Sequence, residues 1–313
     1  MVALTTLFPV FFMLALGFIS RLKGWITPTQ KDGANAIVFQ VLFPIMIFNL
    51  MLTASIETEH IFIVGYVFIA FVVAMIVGKL LIPFTGKKYG HFSHYLLTTV
   101  EGGNVALPLY LSIVGTSSNT VIFDIAGTMI CFIVLPVLIA KSAATDTTHK
   151  ELLKKIFSNS FVIAVILGLG LNLLGGYQYL QTTSLFEVYT GTISQVTAPI
   201  IGMILFILGY DLKVDKETIQ PILKLMSVRI VYYIIVIIGF FILFPYLMAD
   251  KIFMIAVILY FMCPTGFGLA PVISPLYKSE EDAFFSSAFI SLYMIVTLIV
   301  YTCLLYTSDA ADE

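Results

Sequence analysis

Charge is scarce in this chain. Only 11% of its 313 residues are Asp, Glu, Lys or Arg, where an ordinary soluble domain carries about 25%. With 60% hydrophobic residues and a mean hydropathy of +1.04, that deficit excludes a soluble globular protein and leaves an integral membrane protein. No gap between apolar runs is long enough to fold alone. Cysteine is sparse too. Cys131 and Cys263 lie in apolar runs with no CxxC or His/Cys spacing, so they read as buried thiols rather than metal ligands. There is no P-loop, so ATP hydrolysis is not expected. Gly168-Leu169-Gly170-Leu171-Asn172-Leu173 starts like a dinucleotide fingerprint but lacks its third Gly, and inside an apolar run it reads as helix packing. No Ser/His, His/Glu or metal constellation suggests an enzyme. No cofactor is expected, and nothing points to a nucleic-acid partner.

What is abundant is membrane-length apolar sequence. A helix needs about 20 apolar residues to cross a bilayer. Ten such runs are predicted, at about 3–20, 34–54, 61–82, 95–115, 119–140, 160–176, 191–210, 225–247, 252–276 and 283–302. Met1 to Ser20 has no basic leader, and Arg21 and Lys23 follow the apolar stretch. That order reads as an uncleaved first span with its N-terminus outside. Alternating from there, fifteen of the sixteen basic residues fall in cytoplasmic loops or at cytoplasmic helix ends, Arg229 among them, and only Lys251 falls outside. This is the positive-inside pattern of a cell-membrane protein. It also accounts for the basic loop from Lys141 to Lys155 without a lipid or partner site.

Two of the runs are interrupted. The first reads Thr99-Val100-Glu101-Gly102-Gly103-Asn104-Val105-Ala106-Leu107-Pro108, and the second Pro264-Thr265-Gly266-Phe267-Gly268-Leu269-Ala270-Pro271. Unwound backbone in hydrocarbon leaves N–H and C=O groups unpaired at several kcal/mol each, so it survives only where it lines a cavity or binds something. A matched pair of such spans is the best sequence pointer to a transporter site. Pro108 and Pro264 are 156 residues apart, and Pro44 and Pro199 are 155 apart. Five spans per half with this offset predict an inverted repeat, residues 1–158 followed by 159–302. The fold class is thus an all-α polytopic membrane protein of ten transmembrane helices, with broken, crossing helices 4 and 9. The final stretch, 303–313, resembles one reading frame of a sequencing-library adapter and is set apart as non-native.

Within the interruptions, Glu101 stands out. A carboxylate at mid-membrane costs on the order of 3 kcal/mol and is a functional candidate by default, here for proton or ion coupling. Asn104 and Thr265 offer donors, and half-helix N-termini add partial positive charge that suits an anion. Asn104 also fits an N-cap role. Gly102, Gly103, Gly266 and Gly268 permit the unwinding, and Pro108 and Pro264 flank it. Asn49, Ser194, Gln195 and Thr197 could face substrate from the opposite wall or simply join helices. Asp124 reads as a solvated acid at a helix start near the outer surface, and Asp211 as an interfacial acid beside Lys213. The candidate substrate site is therefore Asn104, Gly103, Pro108, Pro264, Thr265, Gly266 and Asn49, with Glu101 as the coupling group.

Gly103-Asn104-Val105-Ala106-Leu107-Pro108-Leu109 resembles the polar-small-Pro-Leu crossover of the auxin efflux carrier family, and Pro264 to Pro271 is similar to its partner. The resemblance runs to about Thr302. The architecture is shared with bile-acid/sodium symporters and sodium/proton antiporters. The family implies a scaffold domain of spans 1, 2, 6 and 7, a transport domain of spans 3–5 and 8–10, elevator movement and a homodimer. Many members carry Asn seven residues before the span-4 Pro, where this chain has Glu101, so carboxylate recognition by that Asn does not transfer and Asn104 is the candidate in its place. The expected function is a permease for a small organic anion, with H+ or Na+ as the possible coupling ion. A sodium-coupled symporter or a sodium/proton antiporter is the alternative, and a receptor without transport is a third. One deep acid, Glu101, is expected.

Overall fold

A computed structural model describes residues 2–53, 61–114, 119–142, 160–211 and 216–309. Among these the chain is all helix, with no strand. In chain order the helices are α1 Val2–Leu22, α2 Pro28–Thr53, α3 Ile61–Leu80, α4 Leu107–Val114, α5 Asn119–Met129 and α6 Leu135–Ser142. They continue with α7 Ser160–Leu173, α8 Leu185–Asp211, α9 Lys216–Leu243, α10 Lys251–Phe261, α11 Leu269–Ile273 and α12 Glu280–Asp309. Among the described residues six stretches are long and apolar enough to cross a membrane: α2, α3, the α5–α6 rod, α8, α9 and α12. α12 runs through 302 without a break, to Asp309.

The molecule wears its apolar side chains outward as well as inward. Phe62, Leu80, Leu174 and Ile242 are each about 70% exposed or more, a surface that water would penalise and lipid tails would not. With lipid as apolar as Leu, helix contact depends on close approach. α1 packs on α8 at Gly17 and Gly209, where an added methyl would sit 2.0 Å from the backbone oxygens of Phe206 and Leu14. Gly168 meets the Phe48 backbone in the same way, joining α7 to α2. Its glycine-rich run is a packing motif.

Several helices start earlier than apolar counting predicts. α2 begins at Pro28, not 34, because Thr27 and Gln30 form a capping box with Pro28 in the first turn. α8 starts at Leu185 and α9 at Lys216, ahead of the expected 191 and 225. Apolar content marks the part of a helix that lipid covers, not where the helix ends.

Among the described residues three π turns occur, at Val38–Leu42, Gly102–Ala106 and Ile130–Val134. Each ends two residues before a proline: Pro44, Pro108 and Pro136. A helical proline lacks its N–H and pushes against the carbonyl four residues back, here inside the π turn, and widening that turn relieves the contact. Pro9, Pro199 and Pro221 lie in helices that stay α-helical, so proline permits the widening without compelling it.

Candidate functional site

Both interrupted stretches are unwound. A short 3-10 turn, Ser93–Leu97, gives way to non-helical backbone over Thr98–Glu101, then to the π turn and α4. α10 ends at Phe261 and helix resumes only at Leu269. The two breaks touch. Glu101 N–H donates to the Pro264 carbonyl (2.8 Å), Thr265 Oγ1 to the Leu96 carbonyl (2.6 Å) and Phe267 N–H to Glu101 Oε2 (2.5 Å).

The arms are unequal. The first break's long arm follows it, as α4, and the second break's long arm precedes it, as α10. The expected pair of opposed half-helix N-termini is instead one substantial N-terminus and one substantial C-terminus. The charges match that polarity. Cations suit helix C-termini and anions suit N-termini.

The cation is Arg229, in the middle of α9 and 0% exposed. Its guanidinium donates to the carbonyls of Leu96 (3.1 Å), Leu97 (2.8 Å), Thr99 (2.8 Å) and Cys263 (3.3 Å), so it closes the carbonyl ends of both breaks at once. The rings of Tyr233 and Tyr293 flank it at 4.6 and 5.1 Å. Reading Arg229 as a cytoplasmic helix-end charge is therefore corrected. Because α9 begins nine residues before the apolar run, the arginine sits well inside the helix. The positive-inside count could not detect this, since it scores a charge by distance along the chain.

The anions are Glu101 and Asp124. Glu101 is 7% exposed and receives the Phe267 N–H. Asp124, on α5, accepts from Tyr260 Oη (3.0 Å) and from the Gly103 backbone, at the start of the π turn leading into α4. Its carboxylate lies so close over Gly102 that a methyl there would fall 1.8 Å from Oδ1. Asp124 is thus no solvated surface acid, and the site holds two acids rather than one. A low-resolution hint was present in the sequence: Asp124 is the only acid in its apolar run.

Both acids border one cavity of about 220 Å³. Its wall also includes Asn49, Gly103 and Gly266 from the sequence-derived site, together with Thr99, Thr128, Phe267 and Ile204. Among the described residues no Lys, Arg or His lines it. Two of these π turns line this wall, through Gly102 and Cys131, and Phe43, just after the third, lines it as well; π turns often lie at functional sites. Asn49 accepts from Tyr189 Oη (2.8 Å). Pro264 and Thr265 do not line the cavity, and the Thr265 hydroxyl is engaged at Leu96. Ser194 and Gln195 are exposed away from it. The side chains of Asn104 and Pro108 lie outside the described residues, as does most of the Lys141–Lys155 loop.

Thr99 has a backbone φ of +53°, a region a β-branched residue enters at a cost of about 1–3 kcal/mol. Its hydroxyl is buried with no hydrogen-bond partner. A second cavity, about 250 Å³, shares Ile204 and Phe267 with the first and contains Lys31 and Asp211, paired at 3.3 Å. Asp211 is thus buried against Lys31 rather than free at an interface. Lys213 lies outside the described residues.

This assembly of apolar rods around a polar, broken-helix crossover is the build of a membrane carrier, and the family comparison agrees: the family described as membrane transport protein matches residues 2–306. The chain belongs to that family, which is of the auxin efflux carrier type. A search of the curated proteins finds no match. The family is one of transporters, not enzymes.

Proposed function

We propose that this membrane transport protein is a secondary carrier of a small organic anion, moved together with a cation that neutralises the Glu101–Asp124 pair. The observation that carries the reading is the pair itself: two carboxylates in one cavity, no cationic side chain among the described residues of its wall, and backbone N–H donors of Gly103 and Phe267 already given to those carboxylates. A substrate anion 4 Å from an ionised carboxylate meets about 4 kcal/mol of repulsion at an effective dielectric of 20. That is roughly a thousandfold in affinity. A proton or a metal cation on the pair removes the repulsion and frees backbone donors for the substrate. Cation binding and anion binding then favour each other, which is the thermodynamic content of symport.

Voltage sets the need for coupling. Moving one net negative charge outward across an inside-negative membrane gains about 2.3 kcal/mol per 100 mV, so export runs unaided and uptake requires the cation. In this reading ten spans form two inverted five-helix repeats in the cell membrane, with the N-terminus outside. The crossover unit slides as an elevator against a scaffold that pairs in a homodimer. Phe267 and Ile204 line both cavities.

The test is uptake of labelled mono- and dicarboxylates into proteoliposomes under imposed H+ or Na+ gradients. Accumulation driven by either gradient, and lost in Glu101→Gln, supports the reading. Carboxylate flux indifferent to both gradients overturns the coupling. A second reading, sodium/proton antiport, is favoured by the same acid pair. It requires Na+-driven proton movement with no organic acid present.

A further inference from the structure

We propose that the crossover contains a site for sodium, built from the Thr99 hydroxyl, the Val100 carbonyl and the Glu101 carboxylate. This rests on the cation-linked reading above and names its ion. Three observations converge on it. Thr99 is 2% exposed, lines the cavity, and its Oγ1 has no hydrogen-bond partner. A buried hydroxyl left unpaired is destabilising, and a native protein keeps one where something else satisfies it. The backbone at Thr99 is held at φ +53°, and strain of this kind gathers at ligand sites.

The third observation is convergence. A methyl on Gly266 would lie 3.4 Å from Thr99 Oγ1 and 3.5 Å from the Val100 oxygen. The hydroxyl and the carbonyl therefore face the same bare glycine. The next residue, Phe267, donates its N–H to Glu101. Three oxygens of three kinds, one of them anionic, are thus gathered around Gly266–Phe267.

All are hard donors, with no sulfur or imidazole among them. They suit a small alkali or alkaline-earth ion rather than a transition metal. Unwound backbone carbonyls are a recurring sodium ligand in broken-helix carriers. A single carboxylate in the set matches a single charge. Asp124 lies over Gly102 and is not one of these three oxygens. Arg229 also meets Thr99, but at its carbonyl (2.8 Å) and not at its hydroxyl.

The experiment is thermal unfolding of the purified full-length protein in detergent, titrated with NaCl against KCl and N-methylglucamine chloride at constant ionic strength. The expected result is a saturable rise in midpoint with Na+ that K+ does not reproduce. In Thr99→Val the half-saturating Na+ concentration rises at least about tenfold, the equivalent of one lost contact to a charged group. Thr99→Ser retains the response. In sodium-free buffer Thr99→Val melts at or above the parent, because valine keeps the shape and removes the unpaired hydroxyl. A merely structural threonine would move that midpoint down instead.

A midpoint indifferent to Na+, or a Thr99→Val protein with unchanged Na+ affinity, overturns the site. So does stabilisation that follows pH alone, which assigns the cation to a proton. A parallel titration with organic acids separates the two readings. Sodium binding without any carboxylate response leaves the site standing and removes the organic-anion function. A carboxylate response with no sodium response does the reverse.

Discussion

The two breaks differ in what they contribute, although they meet and brace each other. The first, Thr98 to Ala106, carries an acid, a strained threonine, a π turn and the glycine over which Asp124 lies. The second, Met262 to Gly268, carries no ionisable carboxylate and contributes backbone: the Pro264 carbonyl, the Phe267 N–H and the bare Cα of Gly266. One break holds the chemistry and the other shapes the space around it. Arg229 belongs to neither, yet it grips the carbonyls of both. One acid pair in the cavity is enough, because a second pair would add repulsion.

The sharpest way to break the comparison is to remove what the two stretches share. Arg229→Leu strands carbonyls on both sides at once and is expected to cost on the order of 3–5 kcal/mol, read as loss of folded protein or a large fall in thermal midpoint. Arg229→Lys keeps the charge but not the forked reach, so an intermediate midpoint is expected.

Next come the matched glycines. Gly102→Ala forces a methyl onto the Asp124 carboxylate and should lower transport at least about tenfold. Gly266→Ala meets only ordinary contact distances, so its thermal midpoint in sodium-free buffer should stay near the parent's while that of Gly102→Ala falls, and its loss should appear as weaker stabilisation by Na+. Equal losses in the two variants would erase the distinction drawn between the breaks.

A finer contrast lies between Glu101 and Asp124. Glu101→Gln is expected to fold and to flatten or displace the pH profile of transport in proteoliposomes. Asp124→Asn should shift that profile while leaving the Phe267 contact intact. An unchanged profile in both removes the pair from the mechanism. The smallest effect is expected from Thr265→Val, which deletes the bond to the Leu96 carbonyl. It should lower the midpoint by the equivalent of about 1 kcal/mol and leave transport nearly unchanged.

Much of the site was readable along the chain. Gly and Pro clusters inside apolar runs located both breaks, and Glu101 was conspicuous as a carboxylate beside one of them. Asp124 was misplaced because it lies near a helix start, and linear distance from a loop was taken for distance from lipid. Arg229 was misplaced for the same reason, its helix being longer than its apolar portion. Thr99 gave no signal, since threonine is ordinary in such runs and its strain exists only once the chain is folded. The proline-linked π turns were open to inference from Pro44, Pro108 and Pro136, but Pro9, Pro199 and Pro221 behave differently in the same fold.

By itself the sequence determined the solvent and the places where helix fails, because burial in lipid and the lack of an N–H on proline act residue by residue. Only the tertiary structure decided which charges meet: that α9 brings a cation to the carbonyl ends, that α5 brings a second acid over Gly102, and that a threonine is left with an unanswered hydroxyl. Those are facts of separation in space between residues more than twenty positions apart, and electrostatic energy depends on that separation rather than on order along the chain.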